Sequence, residues 1–337
     1  MKLPIKLALL SSAGIVCGLV VAEVGLRLLS RDGLPLVVQW GTADGDVESR
    51  ARQAAQESYG TFTYDADGFR AGSGLPYDRS VLFIGDSFTE GRGVSDDETF
   101  ARAAERALRR AGLRVRSLNA GNRGFGPAQE LKVLRRVLAR FSVDAIVVQS
   151  FPMNDLSDNV AHGGFGVENG RLVEYEAPRV PWRARLAGVI SRSWLRNSYI
   201  VRAATNAVAT GDPAAPYDTP AGVDLERVLL NEIVATARAR GIPIVVLVIP
   251  TKVVQAKGNP ANPAAPAGEL RRYEYVRELV RGLGVASIDA GEVIADLAAD
   301  AASGDGGHFG KEGNRLIGEA IAERLEPTLR QHTEAAP

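Results

Sequence analysis

An α/β domain built on a doubly wound parallel sheet is the fold class this sequence predicts, and three observations carry the prediction. From Arg79 onward, short apolar runs rich in β-branched residues alternate with longer helical segments. The run Ile244-Val245-Val246-Leu247-Val248-Ile249 shows no polar alternation, which suits a strand covered by helices on both faces. The chain has 337 residues, 45% of them hydrophobic, enough to fill a large core of that kind.

Taken in chain order, Lys2 and Lys6 precede an uncharged apolar run from Leu7 to Ala22, the pattern of a membrane-targeting segment. At about 1.5 Å per residue that run spans roughly 24 Å, short of the roughly 30 Å hydrocarbon core. Extension through Val24, Leu26, Leu28 and Leu29 closes the gap, and takes in Glu23 and Arg27, which can pair one helical turn apart or snorkel. The expectation is a transmembrane helix within residues 1–30 that anchors the chain to a membrane. Its competitor is a cleaved signal peptide with Val20-Val21-Ala22 as the small-residue site.

Residues 31–76 read as a stalk docking on the main domain, with a polar helical stretch around Val47 to Glu57 and turn signals at Asp65 to Gly68. The main domain covers residues 77–330. Its strands are expected at Val81–Gly85, Val115–Asn119, Ala145–Ser150, Ile242–Ile249 and Val285–Asp289. Helices at Glu98–Ala111, Ala128–Arg140, Asp224–Arg240 and Glu269–Arg281 supply right-handed crossovers between them. An insertion at 156–222 carries a hairpin turning at Asn169-Gly170, an Arg-rich helix from Trp182 to about Thr205 and a Gly/Pro-rich linker. A second interruption, Ala256 to Gly268, is rich in Pro, Ala and Asn, and residues 331–337 form a polar tail.

Forty basic residues balance forty acidic ones, so no global field recruits nucleic acid, and no nucleic-acid partner is expected. Cys17 is the only cysteine, which excludes an internal disulfide. With no Cys/His cluster and no phosphate-binding Gly-rich motif, no metal or organic cofactor is expected. The oligomeric state is not legible.

In a parallel sheet, functional residues collect in loops at the carboxyl ends of the strands. After the first strand stands Gly85-Asp86-Ser87. A serine hydroxyl needs a base and a site for charge on the substrate oxygen before it acts as a nucleophile; otherwise the tripeptide is ordinary turn or N-cap chemistry. Asp305-Gly306-Gly307-His308 offers the base: the carboxylate can fold back across two glycines to hold the imidazole. The other histidines, His162 and His332, lie in the insertion and the tail. After the second strand, Asn119-Ala120-Gly121-Asn122-Arg123-Gly124-Phe125-Gly126 can bring backbone N–H groups close to a substrate oxygen, or simply be a flexible entry to the next helix. After the third strand, Pro152-Met153-Asn154-Asp155 offers an asparagine side-chain donor, whose plainer role is an Asx turn. Asp86 and Asp155 are expected to secure loop hydrogen bonds rather than perform chemistry.

Gly85-Asp86-Ser87, the Gly124 loop, Asn154-Asp155 and Asp305-x-x-His308, in that order over about residues 77 to 330, resemble the SGNH (GDSL-type) hydrolase family, here in a membrane-anchored, bacterial-like form. The resemblance implies a three-layer flavodoxin-like fold. It also implies that Ser87 attacks, His308 serves as base and then acid, and Asp305 orients His308. The oxyanion hole it implies consists of the Ser87 and Gly124 N–H groups and the Asn154 side chain. Two departures stand out: Pro152 occupies a position where the family often has glycine, and the loop offers Gly126 as well as Gly124. Gly-Asp-Ser-Phe-Thr also lacks the second glycine of the Gly-x-Ser-x-Gly elbow, which argues against the α/β-hydrolase fold.

The expected function is a serine esterase acting on an acyl ester, acetyl among the candidates, of an envelope carbohydrate or lipid. An O-acyltransferase with the same site is the alternative, and a non-catalytic binding protein the third reading. Arg185, Arg192 and Arg196 of the Arg-rich helix could meet lipid phosphates or an anionic glycan. The catalytic domain is expected outside the cytoplasm, at the periplasm or cell surface, or secreted if the N-terminal segment is cleaved.

Overall fold

The structure, a computed structural model, describes residues 14, 17–28, 54–57, 60–155, 159, 164–175, 198–201, 220–250, 267–297 and 307–334. The chain divides into two compact units, Met1–Trp40 with Pro178–Ala215, and Gly41–Ala177 with Pro216–Pro337.

The larger unit is a parallel sheet between two layers of helices. Five strands, β3 (Arg79–Ile84), β4 (Val115–Asn119), β5 (Ala145–Ser150), β8 (Ile244–Val248) and β9 (Ala286–Asp289), pair in the order β4-β3-β5-β8-β9. Helices α2 (Phe100–Arg110), α3 (Pro127–Arg140), α4 (Pro220–Arg238), α5 (Ala267–Gly282) and α7 (Lys311–Glu334) cover it. Because side chains alternate along a strand, each strand feeds two cores. Ile146 and Val148 of β5 pack with Leu131 of α3, Leu229 of α4 and Val276 of α5. Ala145 and Val147 face the other way, toward Phe100 of α2 and Ile317 and Ile321 of α7. The strand order reverses at β3, the first strand of the sheet, so the crevice beyond the carboxyl ends of β3 and its neighbours is where this topology places a site.

The five strands expected from the sequence form, two with the expected ends and three with ends shifted by one or two residues. β8 begins at Ile244 rather than Ile242 because Pro243, with no N–H, cannot donate to a ladder. In the insertion, β6 (Phe165–Glu168) and β7 (Arg171–Glu174) make the expected hairpin. Asn169 and Gly170 both take positive φ (52° and 75°), as a two-residue turn that matches strand twist requires.

Two expectations need correction. The polar helix predicted around Val47 to Glu57 ends as a strand: β1 (Ala54–Glu57) pairs antiparallel with β2 (Gly60–Thr63). A polar stretch has no apolar stripe to dock as a helix, whereas the β-favouring Thr61-Phe62-Thr63 offers a ladder partner. Residues 47–53 lie outside the described residues. The Arg-rich helix does not run unbroken from Trp182 to Thr205: Ser198 is non-helical, and its Oγ accepts from Val201 N at 3.3 Å where the described helical residues begin at Tyr199. Residues 182–197 and 202–205 are outside the described set. Of the transmembrane helix expected within residues 1–30, only residues 14 and 17–28 are described, and no helix among the described residues is long and apolar enough to cross a membrane. The described part of that segment is helical over 17–28, a rise of about 18 Å. Within it Glu23 and Arg27 do pair, at 2.9 Å, and Glu23 also accepts from the backbone N–H groups of Tyr199 (2.9 Å) and Ile200 (3.0 Å).

Candidate active site

β3 ends at Ile84, and the next residues turn at once into the four-residue helix α1 (Ser87–Glu90). Asp86 starts it as N-cap, its Oδ1 accepting from Phe88 N at 2.8 Å; Gly91, at φ 82°, ends it by donating to the Ser87 and Phe88 carbonyls. Gly85 is required by close approach, since a Cβ there would lie 2.7 Å from Gln149 Cβ. Gln149, buried on β5, clamps the turn. Its Oε1 accepts from Thr89 N (3.0 Å) and Thr89 Oγ1 (2.6 Å), while its Nε2 donates to Asp86 Oδ1 (2.5 Å).

His308, 221 residues further on, lies 2.8 Å from Ser87 through Nε2 and Oγ. Its ring packs on Phe88 at 4.7 Å between centroids. The adjoining Phe309 is buried in the same cluster, 4.9 Å from Phe88 between ring centroids. Asn314, in the first turns of α7, donates to the carbonyls of Phe309 (2.9 Å) and Gly310 (3.0 Å) and accepts from Phe100 N (2.9 Å), so the histidine loop is pinned to two helices. Asp305 lies outside the described residues.

The loop after β4 is fastened to the serine turn. Asn119 donates to Thr89 O (2.7 Å) and accepts from Gly121 N (3.0 Å), and Asn122 N donates to Gly85 O (2.9 Å). Gly124 has φ 73°, a left-handed backbone that favours glycine, whereas Gly126 is extended at φ −118°. The two glycines therefore differ: only the conformation of Gly124 calls for one. Asn154, after β5, donates from Nδ2 to Asp86 Oδ2 at 3.2 Å. Asp86 thus holds the serine turn and Asn154 together, and Asp155 closes its own loop by accepting from Phe151 N at 2.6 Å. Ser87, Gly124, Asn154 and His308 are each partly exposed, while Asp86, Phe88, Phe125, Asp155 and Phe309 beside them are buried. The structure brings Ser87 to His308 directly, and ties Asn154 and the Gly124 loop to the serine turn.

Sequence reasoning missed what lies beneath. Glu130 on α3, Glu226 on α4 and Asp155 are buried and influence one another electrostatically. Burial pushes the Glu130 and Asp155 carboxyls well above the usual range, with mutual repulsion adding to it. Burial pushes Glu226 up to about 7, against the pull of hydrogen bonds from Asn159 and Ser150. For Asp86, burial pushes upward while the Phe88 N–H, Gln149, His308 and Asn154 pull the other way. The signal for the two glutamates was present: each interrupts an apolar helical face, Glu130 beside Leu131 and Glu226 beside Leu225. Among the described residues no group of three or more His, Cys, Asp or Glu is placed to hold a metal ion.

The GDSL-like Lipase/Acylhydrolase family matches residues 83–316, from within β3 to the first turns of α7, more than half of the chain. The chain belongs to this family. It is therefore an ester hydrolase of the GDSL/SGNH type, with the three-layer α/β fold described above. Solved structures similar to this GDSL/SGNH chain include the lipase/acylhydrolase from Enterococcus faecalis, at 14% identity and TM-score 0.45, covering 74% of this chain and 96% of that one. Another is the psychrotrophic esterase EstA from Pseudoalteromonas sp., at 11% identity and TM-score 0.41, covering 76% and 100%. A third is the SGNH-hydrolase family esterase AlinE4, at 20% identity and TM-score 0.39, covering 78% and 100%. No curated protein matches the chain.

Proposed function

We propose that the protein is a serine esterase that removes an acyl group, acetyl among the candidates, from an envelope carbohydrate or lipid. The observation that carries the reading is the 2.8 Å contact between Ser87 Oγ and His308 Nε2. In the proposed cycle Nε2 takes the hydroxyl proton as Oγ attacks the ester carbonyl, forming the carbon–oxygen bond of a tetrahedral oxyanion. The Ser87 and Gly124 N–H groups and the Asn154 amide stabilise that oxyanion. His308 then gives its proton to the departing alkoxide, leaving an acyl-serine. Water, deprotonated by the same imidazole, releases the acid and regenerates the hydroxyl. Asp305 holds the imidazole in the tautomer that leaves Nε2 to accept.

The N-terminal segment is proposed to hold the domain at a membrane on its extracytoplasmic side. Support comes from Leu19, Val20, Val21, Val24 and Leu28, apolar side chains that are exposed along the described part of the helix.

The purified protein is expected to hydrolyse a short-chain nitrophenyl ester and to be labelled by a fluorophosphonate, both being lost in Ser87→Ala. A wild-type protein inert in both assays overturns the reading. An acyl-enzyme can pass its group to a sugar hydroxyl as well as to water. Acetyl release measured against transfer to added oligosaccharide therefore separates esterase from O-acyltransferase.

A further inference from the structure

We infer that Asn159, held by Glu226, is a positioning residue for the oxyanion loop: it fixes the start of α3, and with it the Gly124–Pro127 segment, against the β5 side of the site. The inference rests on the reading of Gly124 as an oxyanion donor. Helix α3 starts in an unusual way. The first N–H groups of a helix have no partner within it, and a Ser, Thr, Asp or Asn at the N-cap ordinarily supplies one. Here the N-cap is Gly126, which has no side chain to offer, and Pro127 follows at the first helical position. Gly126 N is itself satisfied by Gln129 Oε1 at 3.2 Å. For Ala128 N the missing acceptor comes from elsewhere in the fold: Asn159 Oδ1, at 2.9 Å and 31 residues on.

Asn159 belongs to the same post-β5 segment as Asn154, so its bond to Ala128 ties the two sides of the proposed oxyanion hole together. Its own orientation is fixed from behind, because Nδ2 donates to Glu226 Oε2 on α4 at 2.5 Å. Ala128, Asn159 and Glu226 are all buried, so water is a poor substitute for any partner lost. An aliphatic residue at 226 would fill this helical face without desolvating a carboxyl. What the carboxyl contributes is the acceptor that sets which way the Asn159 amide points, and therefore where its carbonyl holds α3.

The directionality supplies the test. Asn159→Asp keeps an acceptor for Ala128 N but removes the donor to Glu226, and in assays run above pH 7, where Glu226 is ionised, it sets two carboxylates against each other. Adding Glu226→Gln reverses the bond, the glutamine amide now donating. The readouts are KM, thermal midpoint and kcat per fluorophosphonate-titrated Ser87. Asn159→Asp is expected to lower kcat about 10- to 100-fold, with KM within about 2-fold, because small displacements of oriented groups cost that much. The double variant recovers most of the loss. Glu226→Leu, which touches only the far end of the relay, lowers kcat as well, and Glu226→Gln retains activity that Glu226→Leu loses. The inference is overturned if Asn159→Asp and Glu226→Leu lower only the thermal midpoint and leave kcat per titrated serine unchanged, or if the double variant is as slow as Asn159→Asp. A wild-type protein without esterase activity overturns the chemistry proposed above; an active wild type with an indifferent Asn159 overturns the relay alone.

Discussion

Ser87 is partly exposed beside buried residues, and Asn154 and the Gly124 loop are held to its turn by buried neighbours. Asn154 shows the arrangement. Its Nδ2 carries two hydrogens, one directed at Asp86, and the proposed chemistry draws on the other when negative charge develops. Asn154→Ala should lower kcat about 10²- to 10³-fold, roughly 3 kcal/mol of transition-state stabilisation, with little change in KM. Steady-state kinetics on a nitrophenyl ester checks this, and an unchanged kcat would remove Asn154 from the oxyanion site. Ser87, Gly124, Asn154 and His308 could be singled out from the sequence because each follows a strand or precedes the last helix and is of a type the chemistry needs. Gln149 could not. It lies inside a buried strand and reads as one more strand residue until Asp86 and Thr89 are seen to close on it.

At the scale of elements, the segment read as a stalk is part of the wall behind α1. Phe62 and Phe69 are buried, and Arg70 N donates to Asn119 O at 2.9 Å along the open edge of β4. The Arg70 guanidinium is almost fully buried. It pairs with Asp96 (2.8 Å), donates to the carbonyls of Glu90, Gly91 (2.7 Å) and Val94 (2.7 Å), and stacks 3.9 Å from the Phe62 ring centre. One side chain thus satisfies the backbone leaving the serine turn, where no strand or helix does. Arg70→Met takes the guanidinium away from those carbonyls and from Asp96, which keeps only its bonds from Thr63, and should destabilise the fold by about 3 kcal/mol. A fall in the urea midpoint with an unchanged m-value reads this, and an unmoved midpoint would mean water replaces the guanidinium. Nothing local announces this role, because the partners of Arg70 lie 20 to 26 residues downstream.

For the molecule as a whole, the buried carboxyls under the site make stability depend on pH. Glu226 has an ordinary value of 4.5 and is raised to about 7 in the fold, with burial the leading cause. Below about pH 4.5 both folded and unfolded states hold the proton. As pH rises toward 7 the unfolded chain releases it while the folded one keeps it, so the unfolded state binds fewer protons and stability falls. Glu130 and Asp155, shifted the same way, add to the decline. Glu226→Gln, which cannot ionise, should flatten the loss of thermal midpoint between about pH 4.5 and 7. A slope identical to wild type would show that Glu226 titrates normally.

Periodicity and punctuation along the chain were enough for the succession of strands and helices and the hairpin at Asn169-Gly170, because burial pattern and turn chemistry act over a few neighbouring residues. They failed where partners are distant. Ala54–Glu57 of the polar stretch form a strand because a second strand lies beside them, and Ser198 is non-helical at a point where apolar spacing alone would have continued a helix. Only the folded chain decides that Ser87 meets His308, that Arg70 satisfies carbonyls beyond the serine turn, and that Asn159 caps a helix whose own N-cap has no side chain. Each of these depends on the sheet bringing together groups that no local force connects.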